Sequence, residues 1–71
     1  MKTSKKNNRI VKAITANGGR IFGLSTSKET INARFVSEST QYVTVYDNNA
    51  QLNRKLHKTS LTGFRSGATV I

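Results

Sequence analysis

Basic side chains are the groups in this chain most able to do chemistry: 12 Lys and Arg stand against 3 Asp and Glu and a single His. Ammonium and guanidinium groups in such excess pair with phosphates, and a field of one sign attracts polyanions at long range. The formal charge of +9 on 71 residues exceeds the ~2–8 that solubility favours in a small domain. Eleven of these twelve bases, all but Lys28, fall into three groups. Lys2, Lys5, Lys6, Arg9 and Lys12 open the chain, Arg20 and Arg34 lie in the middle, and Arg54, Lys55, Lys58 and Arg65 occupy the last third without an intervening acid.

Other chemistries find little support. No GxGxxG, GxxxxGK[ST] or HExxH motif and no paired carboxylates occur. A nucleophile–base pairing of His57 with Thr59 or Ser60 would need an orienting carboxylate, and only Glu29, Glu38 and Asp47 exist. His57 reads as a surface strand residue. Asp47-Asn48-Asn49 brings one carboxylate, too little for a hard-metal loop, and fits an Asx turn. With no Cys there is neither a disulfide framework nor a zinc ligand set. The expectation is a non-catalytic protein with no cofactor and no metal.

The elements that must position the bases follow from periodicity. Residues 1–8 read as a flexible basic arm, and residues 9–71 as a single domain. Ile10, Val11 and Ile14 share one face of a short helix, with Asn7 or Asn8 as N-cap and Asn17-Gly18 as a left-handed stop. Two turns are marginal alone, so this helix should dock, plugging one end of the domain. From Arg20 the period becomes two: residues 20–25, 30–37 and 40–46 alternate as strands, separated by short turns that require antiparallel pairing. Residues 50–58 fit either a strand, with Leu52, Arg54 and Leu56 pointing one way, or a helix. Residues 59–63 read as a tight, 3₁₀-like turn, and residues 64–71 as a last strand bulged at Gly67. Five short antiparallel strands are too few for a sandwich, and closing them hides their edges. The expected fold is therefore mainly β, a small five-stranded antiparallel barrel with a short N-terminal helix.

In its order of elements the chain resembles a group of small phage-encoded SH3-like β-barrel proteins. The residues that carry the likeness are Gly19-Arg20-Ile21-Phe22-Gly23-Leu24, Ile31-Asn32-Ala33-Arg34, Tyr42-Val43-Thr44-Val45-Tyr46-Asp47 and Leu61-Thr62-Gly63-Phe64-Arg65-Ser66-Gly67. The linker between the second and third strands, Ser37-Glu38-Ser39-Thr40-Gln41, is shorter than in the group and lacks a Gly- and Lys-rich loop. The resemblance implies an SH3-like barrel serving as a binding module in the cytoplasm of an infected bacterial cell, and it names no ligand.

On this frame Arg34 should project outward beside Tyr42 and Tyr46, placing a guanidinium next to two rings on which bases can stack. The expected function is DNA or RNA binding by electrostatics and stacking. Its candidate residues are Lys5, Lys6 and Arg9 in the arm, Arg34, Tyr42 and Tyr46 on the barrel, and Arg54, Lys55 and Lys58 on the following strand. The alternative is a phage-encoded modulator that binds a host protein. No apolar run approaches the ~20 residues of a membrane span, and none follows the basic opening as a signal peptide requires. The expectation is thus no membrane partner and a monomer or weak dimer.

Overall fold

The computed structural model describes residues 3–71. A helix, α1 (Lys5–Ala16), precedes β1 (Phe22–Thr26), β2 (Thr30–Glu38), β3 (Tyr42–Asp47), β4 (Leu52–His57), a 3₁₀ turn (Lys58–Ser60), β5 (Leu61–Ser66) and β6 (Thr69–Val70). All six strands pair antiparallel in one sheet of order β4-β3-β2-β1-β5-β6. Of residues 50–58, which fitted either a strand or a helix, 52–57 form a strand, with 50 and 51 in the turn before it and Lys58 opening the 3₁₀ turn after it.

The closed five-stranded barrel is not what forms. Gly67 takes φ 57 at the first position of a two-residue loop, so residues 69–70 fold back on β5 as a sixth strand. Gly67 is a hairpin turn and not a bulge. β4 and β6 are left as the two edges of the sheet. Register breaks at Phe35/Ser37 in β2 and Ser25/Thr26 in β1 add local bend. Side chains and loops, instead of a ladder, then link β4 and the 3₁₀ turn to the β1–β2 turn: Arg54 reaches Glu29 at 2.6 Å, and the Ser27 amide donates to the Ser60 carbonyl at 3.0 Å.

Helix α1 closes the core where no ladder does. Ile10, Val11 and Ile14 are buried against Phe22, Leu24, Ile31, Ala33, Val43, Val45, Leu61 and Phe64. The helix begins at Lys5, earlier than the apolar spacing suggests, because Ser4 caps it. The Asn7 amide donates to Ser4 Oγ at 3.0 Å, and Asn7 Oδ1 accepts from the Ser4 amide at 2.9 Å. Residues 5–8 of the expected arm are therefore helical, and residues 1 and 2 lie outside the described residues. At the other end Asn17 is the C-cap and Gly18 takes the left-handed φ of 65 that stops the helix.

Two asparagines fasten α1 along β5. Asn7 Nδ2 donates to the Leu61 carbonyl at 2.7 Å, and Asn17 Oδ1 accepts from Ser66 Oγ at 2.9 Å. The spacings match, since ten helical residues rise about 15 Å and five strand steps span about 17 Å. Asn7→Ala removes the return bond of the capping box to the Ser4 amide and leaves the buried Leu61 carbonyl without this donor. The expected loss is roughly 1–3 kcal/mol, read as a lower urea midpoint at unchanged m-value; an unshifted midpoint would count against the clamp.

Candidate nucleic-acid interface

All three carboxylates are committed to ion pairs. Arg54 contacts Glu29 at 2.6 Å and Asp47 at 3.1 Å, and Lys58 contacts Glu38 at 2.8 Å. Arg54 stands opposite the fully buried Val45, so it lies on the core face of β4 and spans the bend of the sheet. Lys58 is buried in the 3₁₀ turn. Asp47 is 2% exposed and its Oδ1 accepts from the Ala50 and Asn49 amides at 3.1 and 2.9 Å, the expected Asx turn. Gln51 (φ 58) completes the left-handed exit of that turn.

These contacts shift titration in a definite direction. The Ala50 amide, then Arg54 and the Asn49 amide, hold Asp47 below its ordinary value of 3.8. The Arg54 hydrogen bond holds Glu29 below 4.5. Arg54 is in turn held more firmly charged by Glu29 and Asp47. Groups depressed on folding stabilise at neutral pH and lose that contribution as pH falls through their folded values. Thermal stability should therefore decline below the ordinary values of 4.5 and 3.8, and less steeply in Asp47→Asn. Identical acid profiles for the two proteins would count against this network.

With the acids spent, the outer face of β2-β3-β4 carries cations, rings, amides and hydroxyls and no carboxylate. Arg34, Tyr46 and Asn53 form one cross-strand row; Thr44 pairs with Lys55, and Tyr42 with His57. Arg34 and Lys55 are exposed, while Tyr42 and Tyr46 are half-buried. Lys55 Nζ lies 4.5 Å from the centroid of the Tyr42 ring, and His57 meets that ring edge-on at 5.0 Å. His57 Nδ1 accepts from the Thr59 amide at 3.2 Å, so His57 caps the 3₁₀ turn as well as packing on Tyr42. Toward the other edge, Gly23, Ser25, Asn32, Gly63 and Arg65 line a shallow groove of about 400 Å³. Gly63 suits a place where an added Cβ would lie 3.4 Å from both the Ile71 carbonyl oxygen and Ser25 Cβ.

A second basic surface lies on α1. At about 100° per residue Lys5, Arg9 and Lys12 form one exposed stripe with Lys6 on its flank, opposite the buried Asn7, Ile10, Val11 and Ile14. No acid sits in the first turn, where the helix dipole is positive and lysines are unfavourable. Lys5–Arg9 and Arg9–Lys12 are like-charge neighbours at helical spacing, each costing a few tenths of a kcal/mol in an isolated helix. The stripe is therefore held against local electrostatics.

The chain matches no known family, no curated protein and no solved structure. No ligand comes to it from a relative, so the site rests on its own geometry. Of the candidate residues the fold brings together Arg34, Tyr42, Tyr46 and Lys55 on the sheet, and Lys5, Lys6 and Arg9 on the helix. It removes Arg54 and Lys58 to ion pairs. Sequence reasoning left out Lys12 and Arg65, although Lys12 follows Arg9 at helical spacing and Arg65 follows the buried Phe64 on its strand. Among the described residues no cluster of three or more His, Cys, Asp or Glu is placed to hold a metal, and no helix is long and apolar enough to cross a membrane.

Proposed function

We propose that this protein is a small non-catalytic module that binds DNA or RNA through charge and stacking. One observation carries the reading: Arg34 beside Tyr46, and Lys55 over Tyr42, alternate cation and ring on a sheet face without carboxylates. Phosphates pair with the cations and unpaired bases stack on the rings. Lys55 moves to a phosphate as a base takes its place on Tyr42. Few side chains are suited to base-edge readout, so sequence selectivity is weak.

Fluorescence anisotropy with labelled single strands and duplexes over a salt series tests this. Tyr42→Ala should weaken single-strand binding about tenfold, the worth of one stacked base, and duplex binding much less. Equal losses on both substrates would remove the stacking role, and no binding at low salt would remove the function. The unclosed sheet favours one competitor, a host protein that adds a strand to β4 or β6, where Leu52 and Val70 are 50% and 67% exposed. A pull-down from nuclease-treated lysate separates the two. A single stoichiometric protein surviving nuclease supports the competitor, and loss of all partners excludes it.

A further inference from the structure

We infer that the protein is bivalent, with the α1 stripe and the outer sheet face each holding a separate nucleic-acid segment so that one molecule bridges two. The inference rests on the nucleic-acid reading and extends it. A flexible arm would fold round a single ligand together with the sheet face. The structure instead fixes Lys5, Lys6, Arg9 and Lys12 on a helix clamped to β5 at both ends by Asn7 and Asn17. The hydrophobic core lies between the buried face of that helix and the inner face of the sheet. The stripe, on a helix that lies along β5 and the 3₁₀ turn, and the sheet cations, on β2 and β4, therefore both point away from that core but from different elements of a body of 29 × 26 × 21 Å.

The helical stripe is also the less favourable arrangement in isolation, with like charges adjacent and lysines at the positive end of the dipole. A phosphate backbone along it relieves both. Its occupant is a polyanion and not a bilayer, because the apolar residues that would enter lipid are committed to the core.

The test uses the full chain and two short duplexes, one biotinylated on beads and one fluorescent in solution. The wild type should retain the fluorescent duplex on the beads and bind two duplexes per molecule at saturation. Three charge-matched variants follow: Arg9→Gln/Lys12→Gln on the helix, Arg34→Gln/Lys55→Gln on the sheet, and Arg20→Gln/Lys28→Gln as a control on the loops. The helix and sheet variants should each bind one duplex and retain no second, while the control bridges as the wild type does. Equal loss in all three would show a response to total charge and overturn the inference. So would a wild type that binds duplex in anisotropy yet retains none on the beads. Bridging that persists in the helix variant, with the free protein sedimenting as a dimer, would assign it to paired sheet faces and also overturn it. A helix variant that keeps both duplexes but loses phosphatidylserine vesicles would move the stripe to membranes. Absence of any binding would instead dispose of the underlying function.

Discussion

Phe64→Ala is expected to remove a large part of the stability of this domain. Phe64 is 3% exposed and its ring lies 5.3 Å from that of Phe22, tilted by 37°. It sits in the middle of β5, the strand along which α1 is clamped. Removing such a ring costs about 3–5 kcal/mol, the lost transfer energy plus the cavity. A chain of this length has only about 4–11 kcal/mol of stability, and it offers few neighbours to fill the gap. The melting midpoint should fall by roughly 15–30 °C, measured by circular dichroism. Phe35→Ala, at a half-buried position, should cost clearly less. A drop of only a few degrees for Phe64→Ala would mean that the helix–sheet seam does not hold the domain together.

The second large effect is expected in salt. If Arg34, Lys55 and Arg65 each neutralise one phosphate of a duplex, the log–log slope is about −2.7, and affinity falls about 40-fold between ~50 and ~200 mM salt. For a single strand the slope is about −2.1 and the fall about 20-fold. Arg34→Gln should reduce the slope by about one contact while weakening all sequences alike. A flat response would exclude an electrostatic interface. A slope near −6 or steeper would mean that helix and sheet cations grip the same duplex, against bivalency.

Much of the fold was legible from alternation, and the failures have specific causes. β1, β2 and β3 showed themselves through Phe22/Leu24, Ile31/Ala33 and Val43/Val45, all of which are buried. The start of α1 was hidden because its capping box uses Asn7, a polar residue that the fold buries, in place of the more familiar Glu or Gln. β5 and β6 read as one strand because Gly67 suits a bulge as well as a turn. Strand count then suggested a barrel that the sixth strand and the helix make unnecessary. On the site, alternation placed Arg34 outward and Arg54 with Leu52 and Leu56. Of the two partners that disarm Arg54, Glu29 lies 25 residues away, and no local pattern announces such a meeting. The cationic stripe of α1 emerges only once Lys5 is known to be helical.

The asparagine clamp also fixes an order of events. Asn7 and Asn17 find their partners 54 and 49 positions along the chain. During synthesis on the ribosome α1 thus has no clamping strand until residues 61–66 have emerged. Such distant contacts slow folding relative to a helical bundle of equal size. Until β5 arrives, Ile10, Val11 and Ile14 lack Leu61 and Phe64 from their cover.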